Sequence, residues 1–217
     1  NRTAYQAYLA KMLTLAGEAD AEARAAAVMK LEHDIAEAHW SRVDSRDADK
    51  VYNKMTFAEL AAKAPGYDWA GYFKAAGIPT DAPLIVAQPS AFTGEAKAWA
   101  DAPLPVLKDH MLLRMLSSYA RYLPKAFDET RFAFYGTELA GTPEQQARWK
   151  RGVDLVSSQI GEDLGRVYVA RYFPPESKAA ADALVRNIIA AMGERLKKLE
   201  WMAPETKQKA LAKLATF

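Results

Sequence analysis

The chain has 217 residues, half of them apolar and 26% charged, with 5 Trp, 10 Tyr and 8 Phe, which excludes a disordered chain and supplies material for a self-supporting core. Lys and Arg (29) nearly balance Asp and Glu (27), for a net charge of +2, so the strong basic excess of a nucleic-acid binder is missing. No cysteine is present, which removes disulfides, thiolate catalysis and cysteine zinc sites, and no apolar run approaches the roughly 18–20 residues of a membrane span.

Helix signals run almost end to end. Tyr5, Tyr8, Leu9, Met12 and Leu15 or Ala16 repeat at helical spacing, with Gly17 as the stop. Asp20 is placed to cap a second helix running to about Trp40, with Val28, Leu31, Ile35 and Ala38 on its apolar face. Thr56 and Glu59 fit a capping box for a short helix that Pro65-Gly66 ends. Asp68 caps another through Phe73, with Gly77 as its stop and Pro79 beyond. Pro83–Gln88 is the one β-like run, an extended edge segment at most. Ala91 to Ala100 reads as a short helix. A longer one runs from Pro103 to Tyr122, with Leu112, Met115 or Leu116, Tyr119 and Leu123 on one side, and Pro124 stops it.

Phe127 to Leu139 reads as helical, ending at Gly141. Thr142-Pro143-Glu144-Gln145 then reads as an N-cap, a proline in the first turn and a reciprocal Gln. The stripe that follows is Trp149, Val153, Val156, Ile160, Leu164 and Val167 or Tyr168, with a bend or close helix contact expected at Gly161 and Gly165. Pro174-Pro175-Glu176 opens the next helix, whose expected buried side is Leu184, Ile188, Ala191 and Leu199, and Trp201-Met202 closes it. Pro204-Glu205 opens a last helix, which Phe217 truncates. The fold class is all-α: an irregular multi-helix bundle with at most one or two short extended segments and about two-thirds of its residues helical, far above the base rate of roughly one-third. Beginning at Asn1 rather than Met and stopping inside a helical pattern, the chain reads as a piece of something longer.

Few residues suggest chemistry. His33 and His39, six apart on one helix, point about 120° away from each other and cannot share a metal from one face. His33 and Glu37 could supply two ligands, with no third in view. His-Glu-x-x-His is absent, since Asp34, Trp40 and Met111 follow His33, His39 and His110; all three histidines read as surface or packing residues. Asp47-x-Asp49 resembles the start of a calcium loop, but Val51 takes the next ligand position and the glycine is missing. Glu162 and Asp163 are neighbours that point in different directions and read as solvated charge. Arg148-Trp149-Lys150-Arg151 could contact an anion or a nucleic acid; the low net charge favours a core tryptophan flanked by a solvated basic face, with an arginine–carboxylate pair across helices also open. No glycine-rich phosphate loop, Gly-x-Ser-x-Gly elbow or dinucleotide fingerprint occurs.

The order of several short motifs goes further. Tyr52-Asn-Lys-Met-Thr56, Gln88-Pro-Ser90, Phe132-Ala-Phe-Tyr-Gly136, Arg148-Trp-Lys-Arg-Gly-Val153 and Gly161-Glu-Asp-Leu-Gly165 are followed by Val167-Tyr-Val169 and Phe173-Pro-Pro-Glu-Ser-Lys178, then Asn187, Trp201-Met202 and Thr206-Lys207. The series resembles the N-terminal region of the neprilysin-like zinc metallopeptidases, most nearly their bacterial members, over essentially the whole chain. The resemblance implies a two-lobed peptidase in which residues 1–217 form a single helical lobe that encloses the substrate chamber and admits short peptides. The zinc and every catalytic and metal-binding residue would belong to a catalytic lobe C-terminal to Phe217, so the chain itself is expected to carry no catalytic residue, no metal ligand and no activity. Substrate-contacting residues are not assigned. The implied partners are that catalytic lobe of the same polypeptide and peptide substrates, with no nucleic acid and no membrane span. The implied setting is export to the periplasm or cell envelope, and the missing cysteines point to a bacterial source. Phe173–Lys178 is a candidate inter-lobe contact. The competing reading is a stand-alone helical binding module.

Overall fold

A computed structural model describes all residues, Asn1–Phe217. It is 74% helical, with one two-stranded sheet, so the all-α expectation holds. The chain divides into two compact units, Asn1–Gln145 and Gln146–Phe217.

In the first unit, α1 (Arg2–Leu15) and α2 (Ala21–Ala38) form a helical hairpin. Gly17, at φ +83, reverses the chain, a conformation that costs glycine little. The expected Asp20 cap does not form. Asp20 sits at φ 53, ψ 32, and its side chain makes no capping bond; a capping side chain reaches the first-turn amides from extended backbone, not from the left-handed region. Helix α2 stops two residues short of Trp40. His39 is extended, and Trp40 is held outside the helix by its amide donating to Gln88 Oε1 (2.8 Å) and its indole to Ser90 Oγ (2.7 Å).

The one-turn α3 (Ala48–Val51) leads to strand β1 (Lys54–Met55). The Thr56–Glu59 capping box then opens α4 (Phe57–Lys63), and Asp68 caps α5 (Trp69–Ala76), which Gly77 ends in the left-handed region. Strand β2 (Leu84–Ile85) falls inside the extended run at 83–88 and pairs antiparallel with β1. β1 carries no sequence signal, because a two-residue bridge has no periodicity to read.

Helices α6 (Pro89–Asp101) and α7 (Leu104–Tyr119) follow. A 3₁₀ turn takes over at Ala120–Tyr122, and α8 (Lys125–Arg131) runs into a π-helical segment, Phe132–Leu139. The expected helix start at Thr142 is absent. Thr142 N–H donates instead to Gly136 C=O, closing the π segment, and Gln145 Nε2 donates to Asp128 Oδ1 at 3.1 Å.

Two apolar clusters hold this unit. One joins α1, α2, α7 and the π segment through Tyr8, Met12, Leu13, Val28, Leu113 and Phe134. The other lies beneath the small sheet, with Met55, Leu60, Phe73 and Val86 buried and Trp69 and Phe92 packed against them. Met12, Leu13 and Val28 are fully buried, and each such side chain contributes about 1.5–3 kcal/mol.

The second unit is three helices: α9 (Arg148–Tyr172), α10 (Pro175–Lys198) and α11 (Pro204–Leu214). The bend expected at Gly161–Gly165 falls at Ile160, whose φ −128, ψ 35 interrupts α9. The burial expected for these helices is not found. Trp149 is 68% exposed and Leu184 60%, and Val153, Val156, Leu164 and Ile188 are exposed with them. Leu199, at the end of α10, is half-buried. Periodicity shows which face of a helix is apolar; it does not supply the element that covers it.

Candidate functional site

The three histidines lie in three separate settings. His39 Nε2 meets Glu95 Oε1 at 2.7 Å and ties α2 to α6. His33 Nδ1 lies 3.7 Å from Glu37 Oε1 on the exposed side of α2. Asp34 adds a third donor there, and the three groups offer ligand atoms within 4.8 Å of one another. Sequence spacing alone left Asp34 out because it is His33's chain neighbour. This set does not fit a catalytic zinc. It is exposed on a helix surface, and Lys30 Nζ already holds Asp34 at 2.5 Å; a catalytic zinc site needs three committed ligands around an open position in a cleft.

His110 joins a partly buried cluster that no motif indicated. Tyr5 of α1 donates its hydroxyl to Glu32 Oε2 of α2 at 2.6 Å, and His110 Nε2 of α7 lies 3.4 Å from Glu32 Oε1. Burial alone would raise the Glu32 carboxyl; His110 and the Tyr5 hydroxyl outweigh it and hold the group below its ordinary value of 4.5. Burial and the same carboxylate push the Tyr5 phenol well above its ordinary 10.0. Trp99 packs edge-on against the His110 ring.

A second cluster was equally invisible in sequence, because its partners are 85 residues apart. Arg24 of α2 grips Asp109 of α7 with two bonds, Nε to Oδ2 at 2.9 Å and Nη2 to Oδ1 at 2.6 Å, and Nη1 reaches Glu18 at 2.5 Å. Asp109 is the one buried charged residue. The pair ties α2 to α7 and is separate from the one considered for Arg148 or Arg151, where Arg151 Nε donates to Gln146 C=O at 3.1 Å.

The remaining candidates take their plain roles. Asp47 Oδ1 accepts from the Asp49 and Lys50 amides and caps α3, so it is engaged as a cap. Asp163 pairs with Arg166 at the surface, 3.2 Å away. Lys150 stacks over the exposed Trp149 ring at 5.5 Å, which replaces the expected core tryptophan with a surface one. Phe173 lies at the break between α9 and α10, where Pro175 restarts the helix. A groove of about 630 Å³ between α2 and the α6–α7 junction contains Lys30, Asp34, Lys97 and Asp101. Lys30 pairs with Asp34 and Lys97 with Asp101, and Glu37, which also lines the groove, lies 3.7 Å from His33 Nδ1. No helix is long and apolar enough to cross a membrane.

The chain is an all-α structure of two units, and in the first unit the Arg24–Asp109 and His110–Glu32 pairs join helices. The chain matches Peptidase family M13 over residues 1–217, and it belongs to that family. It is 29% identical to Neprilysin-2 of Drosophila melanogaster over 98% of its own length and 30% of that protein's. Against the neutral endopeptidase of Lactobacillus helveticus it is 27% identical, covering 77% of this chain and 26% of the relative. The inhibitor complex of the Mycobacterium tuberculosis zinc metalloprotease ZMP1 superposes with a TM-score of 0.80 at 35% identity, over 100% of this chain and 33% of that one. The chain therefore spans about a quarter to a third of the length of these relatives.

Proposed function

We propose that this chain is the substrate-enclosing helical part of a bacterial, exported zinc metalloendopeptidase that cleaves short peptides. The zinc and the catalytic residues would belong to another part of the same polypeptide, and the 217-residue chain would be inactive by itself. The observation that carries this reading is the family match across the whole chain, combined with the donor geometry. Each histidine faces a carboxylate at its own place, His33 at 3.7 Å, His39 at 2.7 Å and His110 at 3.4 Å, and the group of potential ligand atoms at His33, Asp34 and Glu37 contains a single histidine. An all-helical wall suits such an enzyme, because a hydrolase chamber must restrict water and admit substrate by size. The missing cysteines accord with an exported bacterial protein that lacks disulfides.

The test uses the full-length polypeptide and the 217-residue chain side by side. A quenched fluorescent peptide of about ten residues and a folded protein substrate are offered to each. Cleavage of the peptide alone, by the full-length polypeptide alone, supports the reading. Cleavage by the 217-residue chain contradicts it, as does indifference to substrate size. A full-length polypeptide with no hydrolytic activity would favour the helical binding module instead.

A further inference from the structure

The groove between α2 and the α6–α7 junction lies wholly within the first unit, and both its walls are present. Its volume of about 630 Å³ falls within the roughly 300–1,000 Å³ of ligand pockets. It opens beside the point where Gly94 of α6 meets Ala38 of α2. Small side chains such as Ala98 leave its floor unfilled, and the buried Leu31 and half-buried Val106 make that floor apolar.

The rim carries charge, and the charge does not cancel. Lys30 is held by Asp34 at 2.5 Å, one turn away on α2, and Lys97 is held by Asp101 on α6. Two lysines thus answer two of the three carboxylates that line the groove. Glu37 is left over. His33 Nδ1 stands 3.7 Å from it, beyond a hydrogen bond, and the Glu37 side chain is 70% exposed. Asp34 brings a carboxylate oxygen within 4.8 Å of the Glu37 oxygen, which concentrates negative potential at this end. A free carboxylate at the edge of an apolar groove favours a cation on an apolar stem, whose methylenes cover the floor while its head reaches the rim. Arginine suits this better than lysine, because its planar fork bonds both oxygens of one carboxylate. A bare metal ion suits it less, because the floor offers no ligand and Lys30 already holds Asp34.

We infer that this groove is an exosite for peptides that carry an arginine beside apolar residues, with the guanidinium on Glu37 and the apolar side chains on the floor of Leu31, Ala98 and Val106. The inference rests on the reading that the chain is part of a peptidase, and it adds a substrate class to that reading.

Fluorescence anisotropy with the full-length polypeptide, in chelator so that peptides stay uncut, tests this. Three labelled probes with blocked ends are compared: Ala-Arg-Leu-Val-Ala, the same peptide with glutamate in place of arginine, and Gly-Arg-Gly-Gly-Gly. The first is expected to bind about tenfold more tightly than either control. Glu37→Lys, at an exposed position, weakens it about tenfold. Ala98→Arg, which fills the groove from the other wall and repels the guanidinium, does the same, and thermal melting confirms that both variants are folded. Equal binding of the arginine and glutamate peptides overturns the inference, as does binding untouched by Glu37→Lys. The glycine probe binding as tightly as the first also overturns it, since the groove would then be a plain acidic patch. Failure of every probe to bind overturns it too, and would mean that the rest of the polypeptide fills the groove. With the metal restored, a ten-residue peptide containing the Arg-Leu-Val run is offered to the same samples, and Glu37→Lys is expected to raise its KM. The binding pattern in a polypeptide without hydrolytic activity defeats the functional reading alone; hydrolysis without the arginine preference defeats only the exosite.

Discussion

Tyr5 and Glu32 form a contact whose worth depends on pH. The phenol is held protonated in the folded state well above 10.0. As pH rises through 10.0 the unfolded chain releases this proton and the folded chain keeps it, so stability declines on the alkaline side. Glu32 acts in the opposite direction: its lowered value gives stability that is present above 4.5 and lost as pH falls below it. Tyr5→Phe is therefore expected to cost about 1–2 kcal/mol at neutral pH through the lost charge-assisted bond, and to make the decline above pH 10 shallower. Tyr8 keeps a share of that decline, since burial raises its phenol too. Urea titrations at pH 7 and pH 11 check this; parallel losses in the variant and the parent at both values would contradict it. Asp109→Ala removes both bonds that Arg24 makes across α2 and α7. The expected loss is about 1.5–3 kcal/mol, because the guanidinium keeps only the Glu18 carboxylate and the Ala19 carbonyl, both on Nη1. Asp109→Asn, which keeps a hydrogen-bonding oxygen, should fall between. A loss below about 0.5 kcal/mol for Asp109→Ala would mean that the pair contributes no more than an exposed one.

Among the helices, α2 and α6 cross so closely that only glycine fits at Gly94, where an added Cβ would collide with Ala38. Gly94→Ala tests the crossing because two effects compete. Helix propensity favours alanine by roughly 1 kcal/mol, and overpacking against a rigid neighbour costs about 1–3 kcal/mol. A net loss of stability is expected by thermal melting; a net gain would show that the helices are free to separate. Local signals were legible in the sequence at this scale. The Thr56–Glu59 box, the Asp68 cap and the Gly17 and Gly77 stops lie where their residues implied, because each joins groups within a few positions of one another. Long-range contacts left no such trace. The Gln88 contact that pulls Trp40 out of α2 spans 48 residues, and the Arg24–Asp109 pair spans 85. The Thr142 helix start failed because a proline next to a capping residue also suits a turn, and the π segment uses Thr142 to finish itself.

For the whole molecule, the motif order pointed to the family that the match over residues 1–217 establishes, although no single residue did. The apolar faces of α9 and α10 were legible as faces, but their covering was not. Burial depends on elements that contact the helix, and within residues 146–217 no element covers them. Under the proposed function, this helical chain serves a metal chemistry whose ligands lie elsewhere in the polypeptide. Zinc content, measured by plasma mass spectrometry on the purified full-length polypeptide and on the 217-residue chain after dialysis against a weak chelator, decides this. About one zinc per full-length polypeptide is expected, with peptidase activity lost when the metal is stripped, and none retained by the 217-residue chain. Stoichiometric zinc on the short chain, removed by substituting His33 or Glu37, would contradict it.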